Sequence, residues 1–397
     1  MPYQPPLYRH LATCAIALLT LLPACQASSR TSPETQRQRN AAVLAQLKRA
    51  EAERNSPAYG QRDDVLAYAR DLATRQPQLE LAWIEATLAQ ARFQPQVTRL
   101  IMPPTVGVIK DWSAYRARFI EPNRIQAGLA FWRDNERWLR AAESAWGVPA
   151  SVVVGIVGVE TFYGRITGNF RVIDALATLS FDFPTGRSDR SAFFRQELEQ
   201  LLVLAQRDKL DLSSLRGSYA GALGWPQFMP SSWLKYGQDF DDDGRIDLQN
   251  SMADVIGSVA HYLAAHGWQR DMPTHYAVVP PADLAQRARL LVPDICPSFT
   301  AAEMMQAGAQ LPEAAQRHAD ALALVKLENG GDEPSYIAGT QNFWVVTRYN
   351  QSSYYALAVI ELGEAVAALR ERERADAAAQ AASASSAPET GASAASR

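Results

Sequence analysis

The sequence predicts a mainly α fold of the α+β class, in which a helical body carries one small β element. Apolar residues recur at helical spacing from Val65 to Trp146, and again over Ser191–Arg207 and Met252–His266. The segment from His275 to Thr347 differs, because its apolar runs are short and typical of strands. A long apolar run before Gly164 can be a buried strand or a buried helix, and its length and the glycine stop favour the helix.

The individual elements follow from spacing and from stop signals. A pair of helices separated by Pro77 is predicted, and a single long amphipathic helix is predicted from Leu129 to Trp146, before Gly147 and Pro149. Thr300 and Glu303 have the spacing of a capping box. Strands are predicted at His275–Val279, Leu322–Leu327 and Phe343–Thr347, and a closing helix over 352–374.

Composition excludes several classes of protein. The chain has 397 residues, of which 47% are hydrophobic and 20% charged, as in ordinary globular proteins. Its net charge of −3 gives no electrostatic footprint for nucleic acid. Cys296 is the one thiol of the predicted folded body, so it makes no internal disulfide there, and we interpret it as a small buried hydrophobe.

The N-terminus has the pattern of a targeting segment. A short basic region precedes the apolar stretch Leu11–Leu22, which is too short to span a bilayer comfortably. Residues 1–24 are therefore predicted to be a signal peptide and Cys25 a lipidated cysteine; the alternative is a plain signal peptide cut near Ala24 or Ala27. A polar tether would cover 25–60. Gln26 follows Cys25, which favours an outer-membrane anchor facing the periplasm. The Ala/Ser-rich residues 375–397 are predicted to be disordered.

Glu160 is the first candidate for chemistry. It ends the apolar run that begins at Val152, and a carboxyl in an apolar pocket resists ionisation. Such a group can stay protonated near neutral pH and donate its proton to a leaving oxygen. The alternative is a glutamate at a helix end that merely reaches solvent.

Two further stretches have the composition of a binding site. Gly217–Pro230 alternates glycine and proline with aromatic residues, Ser218 and Gln227, a pattern that brings backbone close to a ligand. On this stretch alone, a structural loop is the favoured interpretation. Thr347–Asn350, followed by Tyr354 and Tyr355, lies between the last predicted strand and the closing helix.

The loop Asp239–Asp247 resembles the calcium loop of an EF-hand. Carboxylates at alternate positions, Gly244 at the sharp turn and the backbone carbonyl of Arg245 match that pattern. Asn250 replaces the final bidentate glutamate, so a weaker site is expected, or one closed by a later carboxylate. The predicted ligands are Asp239, Asp241, Asp243, Arg245 and Asp254, and the alternative is a solvated acidic turn.

These stretches, in this order, resemble the membrane-bound lytic murein transglycosylase B family. The resemblance runs from about Val65 to Leu369 and is carried by several motifs, among them Gly158-Val159-Glu160-Thr161, Gly217–Ala222, Gln227–Ser232 and Thr347-Arg348-Tyr349-Asn350. It implies a lysozyme-like helical core (about 145–270) with a helical domain and a small β-containing domain (about 272–348), all within a catalytic region of 61–374. It also implies cleavage of the β-1,4 bond between N-acetylmuramic acid and N-acetylglucosamine in peptidoglycan, which leaves a 1,6-anhydromuramoyl end.

The resemblance assigns roles residue by residue. It makes Glu160 the sole acid/base, and it places in the glycan cleft Ser218, Gln227, Tyr349, Asn350 and Tyr355, with Tyr115 and Arg190 at less secure positions. Structural Ca²⁺ and no organic cofactor are expected. Peptidoglycan glycan strands are the expected substrate, the outer membrane is the expected anchor, and cell-wall synthesis proteins are candidate partners.

The absence of an obvious second carboxylate near Glu160 bears on the type of reaction. Ordinary glycosidases use two carboxylates, whereas attack by the substrate's own hydroxyl needs one acid/base. The alternatives are a muramidase that uses water and a non-catalytic peptidoglycan-binding lipoprotein.

Overall fold

The computed structural model describes residues 44, 57–103 and 110–385, with side chains through 380. The described residues from 57 onward belong to one compact unit, Glu53–Arg397. The predicted signal peptide, Cys25, nearly all of the predicted tether and residues 386–397 lie outside the described residues.

The fold is mainly α, as the sequence predicts. In chain order the helices are α1 (Asp63–Arg75), α2 (Leu81–Leu88), α3 (Pro95–Leu100), α4 (Trp112–Ala117), α5 (Pro122–Asp134), α6 (Glu136–Trp146), α7 (Ala150–Thr161), α8 (Val172–Phe181), α9 (Ser191–Asp208), α10 (Pro230–Tyr236), α11 (Met252–Ala265), α12 (Leu284–Leu291), α13 (Ala301–Gln306), α14 (Glu313–Gln316), α15 (Gln341–Thr347) and α16 (Ser353–Ser385). The strands are β1 (Phe170–Arg171), β2 (Arg216–Gly217), β3 (His275–Ala277), β4 (Ala323–Asn329) and β5 (Asp332–Gly339).

The helix α7 lies at the centre of the hydrophobic core. The long apolar run of the sequence is this helix, and nine of its twelve residues are buried. Helix α16 crosses it at very short range: a Cβ on Gly155 would lie 2.1 Å from the carbonyl oxygen of Val359, and one on Gly363 would lie 2.1 Å from that of Ser151. Only glycine permits this approach, which sets the position of the first turn of α16 relative to the end of α7.

The β element is a three-stranded antiparallel sheet in the order β3-β5-β4. It has an apolar cluster of its own, in which Leu290, Met304 and Leu324 are fully buried. Two strands were predicted close to their observed positions. Strand β5 was missed because Pro334 and several polar residues obscure its pattern.

The predicted strand Phe343–Thr347 is wrong, because these residues form helix α15. Its N-terminus is capped by Thr340, whose side chain accepts a hydrogen bond from the backbone N–H of Asn342. Phe343, Val345 and Val346 are fully buried against the core. Burial of one helix face therefore outweighs the strand preference of the β-branched residues.

Three other predictions need correction. The predicted single helix over Leu129–Trp146 is two helices that separate at Asn135. The side-chain amide of Asn135 donates a hydrogen bond to the carbonyl of Phe131 and competes with continuation of the helix. Disorder from residue 375 is wrong as far as Ser385, because α16 continues that far on alanine-rich sequence of high helix propensity. Cys296 is exposed rather than buried, in a turn closed by its N–H to the carbonyl of Pro293. The capping box of Thr300 and Glu303 is confirmed.

Among the described helices, none taken singly is long and apolar enough to cross a membrane. The adjoining helices α6 and α7 satisfy the length and composition criteria only when counted together, across a bend of 117°.

Candidate active site

Glu160 occupies the last turn of α7, just before a turn of unusual backbone geometry. Phe162, Tyr163 and Gly164 follow with φ angles of 51°, 55° and 79°, so three consecutive residues are left-handed. Left-handed conformations are costly for residues with a side chain and persist where surrounding contacts hold them. The chain therefore leaves α7 abruptly, and Glu160 stays at the edge of the core.

Glu160 is half-buried as a residue, and the surroundings of its carboxyl oppose ionisation. Burial raises its pKa from 4.5 to about 7, and a hydrogen bond from Tyr355 acts in the opposite direction. The Tyr355 hydroxyl donates this bond to Oε1 across 2.5 Å. Among the described residues, no second carboxylate and no cation contributes to the shift.

An aromatic wall surrounds this carboxyl. Tyr349 stacks on Tyr355 with ring centroids 6.4 Å apart, and its hydroxyl donates to the carbonyl of Pro226 at 2.8 Å. Burial raises the pKa of both tyrosines well above the usual value, and the negative charge of Glu160 adds to the effect. Tyr115 lies on α4, and burial and then the Glu160 charge raise its pKa too. All three hydroxyls therefore remain protonated at neutral pH.

The glycine-rich stretch Gly217–Pro230 packs against the turn that follows Glu160. The Thr161 hydroxyl donates to the carbonyl of Trp225 at 3.1 Å, and the Trp225 indole fills the space beside Gly164, where a Cβ would clash at 2.3 Å. Gln227 has a φ of 51°, and its side-chain amide donates to the carbonyls of Thr167 and Gly224. These contacts leave the carbonyl oxygen of the Gln227 side chain as an acceptor for a ligand.

Ser218 and Asn350 each retain a polar group that can bind a ligand. The Ser218 hydroxyl oxygen accepts hydrogen bonds from the N–H groups of Ala220 and Ala222 at 3.3 and 3.0 Å, which leaves its proton to donate. Asn350 is exposed, and its side chain has no hydrogen-bond partner among the described residues.

Arg190 stands apart from the cluster. It occupies the position before α9 without a capping hydrogen bond from its side chain. The side chain is exposed and lies over the ring of Phe193, with 4.7 Å between its Cζ atom and the ring centroid. The described contacts do not connect it to Glu160, Tyr349 or Tyr355. The structure thus brings together Glu160 and its tyrosines but does not join Arg190 to them.

The acidic loop forms a separate cluster beside α11. One carboxylate oxygen each of Asp239, Asp241 and Asp254 lies within 4.8 Å of the other two. Asp254 is buried, and its carboxylate accepts from the N–H groups of Phe240 and Asp247, which fixes it under the loop. Burial raises the pKa of Asp254, and the other two carboxylates add to the effect.

Two of the predicted ligands lie outside this group of three. Asp243 is exposed and accepts a hydrogen bond from the N–H of Arg245, whose guanidinium lies 3.7 Å from the same carboxylate. The side chains that can hold a metal directly are therefore those of Asp239, Asp241 and Asp254.

Sequence reasoning missed two residues that support Glu160. Thr161 links α7 to the glycine-rich stretch, as described above. The Arg124 guanidinium donates to the carbonyl of Gly158 at 2.7 Å and lies 4.4 Å from the ring centroid of Phe162. Thr161 is adjacent to Glu160 and could have been found, whereas no sequence signal relates Arg124 to a helix more than thirty positions away.

Comparisons with known proteins agree on one family. Residues 62–364 match the transglycosylase SLT domain. Membrane-bound lytic murein transglycosylase B of Escherichia coli (strain K12) is 38% identical over 299 residues, which cover 72% of this chain and 78% of that protein.

Two solved structures are also similar. The lytic transglycosylase SLT35 of Escherichia coli, in complex with calcium, has a TM-score of 0.69 and 35% identity over 78% of this chain and 94% of that one. SltB3 from Pseudomonas aeruginosa, in complex with NAG-anhNAM-pentapeptide, has a TM-score of 0.63 and 27% identity, covering 76% of this chain and 77% of that one. These likenesses confirm the mainly α, lysozyme-like fold, and the chain belongs to the lytic transglycosylase family defined by the transglycosylase SLT domain.

Proposed function

We propose that the chain is a lytic transglycosylase that cleaves the β-1,4 bond between N-acetylmuramic acid and N-acetylglucosamine and leaves 1,6-anhydromuramoyl ends. The observation that carries this proposal is the isolated Glu160 carboxyl, with a pKa near neutrality and a tyrosine donor on one oxygen. A carboxyl with this pKa is available both as an acid and as a base at physiological pH.

The first step uses Glu160 as an acid. Its proton passes to the glycosidic oxygen, the bond from that oxygen to the muramoyl C1 breaks, and the leaving sugar departs with a new hydroxyl. Glu160 is then a carboxylate, and the hydrogen bond from Tyr355 stabilises the negative charge it has acquired.

The second step uses the same group as a base. The Glu160 carboxylate removes the proton from the muramoyl C6 hydroxyl, whose oxygen forms a bond to C1 and closes the anhydro ring. The proton returns to Glu160, so the enzyme ends as it began. Intramolecular attack replaces a bound water, because the C6 hydroxyl is already held beside C1.

The remaining site residues are proposed to hold the sugar. Ser218 and Asn350 have free polar groups suited to the muramoyl N-acetyl group, which can assist at C1. Gln227 offers an acceptor, and Tyr115 and Tyr349 offer ring faces and hydroxyls. Arg190 is proposed only as an outlying contact, since it lies on the N-terminus of α9 rather than beside Glu160.

A structural calcium site is proposed at the acidic loop. Three carboxylates that converge within 4.8 Å, one of them buried, repel each other unless a cation neutralises them. The complex of a relative with calcium supports this assignment. Asp239, Asp241 and Asp254 would supply side-chain oxygens, while Asp243 and the Arg245 carbonyl would complete the shell, so that the ion joins the loop to α11.

Anchorage to the outer membrane through lipidated Cys25, facing the periplasm, is also proposed. The sequence pattern around Cys25 and the membrane-bound relative support it. Mass spectrometry of the native protein tests it, because an unmodified N-terminus would contradict lipidation. Co-purification of cell-wall synthesis proteins would test the proposed partners.

Digestion of purified sacculi tests the enzymatic proposal. The wild type should release anhydro-muropeptides, whereas Glu160→Gln should release none while retaining the same thermal unfolding curve at pH 4, where Glu160 is protonated in both the native and the unfolded state. Reducing ends would select a muramidase, and binding to sacculi without any soluble product would select a non-catalytic role.

A further inference from the structure

Tyr354 joins the first turn of α16 to the small β element. It is the second residue of α16 and precedes Tyr355 in the chain. Its hydroxyl oxygen accepts a hydrogen bond from the backbone N–H of Glu328 on β4 at 2.7 Å, and its proton is donated to the carbonyl of the same residue at 3.1 Å. One hydroxyl thus bonds both backbone groups of a single strand residue.

The strand position that Tyr354 contacts lies on the open edge of the sheet. The strand order is β3-β5-β4, and the register of β4 with β5 shifts between Leu327 and Asn329, the two neighbours of Glu328. An edge strand presents backbone N–H and C=O groups that need partners. The Tyr354 hydroxyl satisfies both groups of Glu328, so it takes the place of a further strand and fixes α16 to β4.

Two aromatic rings of α4 contact the Tyr354 ring. The rings of Trp112 and Tyr115 both meet it edge to face, with centroids 5.9 and 5.8 Å from its own and interplanar angles of 81° and 88°. Edge-to-face arrangements are among those that aromatic pairs prefer. Tyr354 therefore also connects the first turn of α16 to α4, which carries Tyr115 of the proposed cleft.

The adjacent residue, Tyr355, contacts the catalytic carboxyl from the same turn. Its hydroxyl donates to Oε1 of Glu160 at 2.5 Å, the short end of the range for O–H···O hydrogen bonds. The close contact at Gly363 fixes α16 against α7 about two turns later, and Tyr354 fixes the end at which Tyr355 lies. Because a hydrogen bond depends on both distance and angle, a movement of this first turn weakens the bond to Glu160.

We propose that Tyr354 is a positioning residue of the reaction: its bonds to β4 fix the first turn of α16 and thereby hold Tyr355 against Glu160. This inference rests on the proposed function, in which the Tyr355 hydroxyl stabilises the carboxylate that Glu160 becomes. Among the described contacts, Tyr354 has no hydrogen bond with Glu160, so it acts through its neighbour. The small β element is thereby part of the framework that positions the acid/base.

Tyr354→Phe tests the proposal, because it removes the hydroxyl and keeps the ring contacts with α4. The bond from Tyr355 to Glu160 should loosen, so kcat on soluble glycan strands should fall roughly tenfold while KM changes less than about twofold. The alkaline limb of kcat/KM should move to higher pH, because the hydrogen bond from Tyr355 is what lowers the Glu160 pKa.

A control and a double variant separate positioning from a structural role. Tyr68→Phe also removes a hydroxyl that donates to a backbone carbonyl, that of Arg195, but this bond links α1 to α9, and its loss should change neither kcat nor the alkaline limb. Tyr354→Phe/Tyr355→Phe should have the same alkaline limb as Tyr355→Phe alone, because the bond that Tyr354 positions is already absent.

Two results would overturn the inference. An unchanged alkaline limb in Tyr354→Phe would leave its hydroxyl a structural contact only, and a shift that adds to that of Tyr355→Phe in the double variant would show that it acts independently of Tyr355. If the wild type released no anhydro product, the proposed function would fail separately. The Glu160 pKa is then measured without substrate, from the carboxyl resonances of ¹³C-labelled glutamate assigned with Glu160→Gln. It should still rise in Tyr354→Phe, and an unchanged value would again overturn the inference.

Discussion

The hydroxyl of Tyr355 donates a hydrogen bond to Oε1 of Glu160, although 195 positions separate the two residues in the chain. The close crossing of α7 and α16 at Gly155 and Gly363 makes this contact possible. Burial raises the pKa of Glu160 to about 7, while the hydrogen bond stabilises the ionised form and limits the rise. The carboxyl can therefore give up and regain a proton near neutral pH.

Replacing Tyr355 with phenylalanine should move the pH dependence of the reaction upward. The variant loses the one group that lowers the Glu160 pKa, so the acid form persists to higher pH. The alkaline limb of kcat/KM should lie near pH 7 in the wild type and at higher pH in the variant. A pH–rate profile measures this shift, and an unchanged or downward-shifted limb would contradict it.

Glu160 should destabilise the native protein at alkaline pH. Between pH 4.5 and about 7 the native carboxyl keeps a proton that the unfolded chain releases, so the free energy of unfolding falls as pH rises. After allowance for partial exposure, Glu160→Gln should be more stable than the wild type by about 2 kcal/mol at pH 8, with the difference fading toward pH 4.5. Urea unfolding at both pH values measures it. A difference that does not depend on pH would refute the assigned pKa.

Arg124 should stabilise the strained turn after Glu160. Arg124→Met removes the hydrogen bond to the Gly158 carbonyl and the contact with the Phe162 ring, and should cost about 2 kcal/mol of unfolding free energy. Arg137→Met is the matched control, since Arg137 also covers an aromatic ring but is exposed, and its loss should cost less than about 0.5 kcal/mol. Equal losses in the two variants would show that Arg124 has no special role.

Calcium should raise the thermal stability of the protein through the acidic loop. At a calcium concentration a hundredfold above Kd, binding to the native state adds about 2.7 kcal/mol. Asp241→Asn should abolish this increment because it removes one of the three convergent carboxylates. Asp242→Asn is the control: Asp242 adopts a left-handed φ of 57°, which asparagine also tolerates, and it is outside the group of three. Melting curves with calcium and with chelator that coincide in the wild type would contradict the site.

The parts of the site formed by residues that are neighbours in the chain could be predicted from the sequence. The apolar run of α7 and the glutamate at its end are visible because a fully buried helix has an unbroken apolar pattern. The convergence of Asp254 with the acidic loop was also foreseeable, because the loop needs a later carboxylate to replace the missing glutamate.

Contacts between distant segments could not be predicted from the residues alone. The bond from Tyr355 to Glu160 depends on how α16 crosses α7, and the support from Arg124 depends on the position of α5. Helix α15 was mistaken for a strand because Val345 and Val346 favour strands locally, while their burial in the core favours a helix. In each case contacts between distant segments determine the structure, and the local sequence pattern carries no information about those contacts.

Digestion of sacculi in water enriched in ¹⁸O tests the central claim most directly. If Glu160 directs attack by the muramoyl C6 hydroxyl, the wild type releases anhydro-muropeptides that contain no oxygen from solvent, and Glu160→Gln releases none. Mass spectrometry of the products reads both results. Products with reducing muramoyl ends that carry ¹⁸O would show that water attacks C1, and would contradict the account.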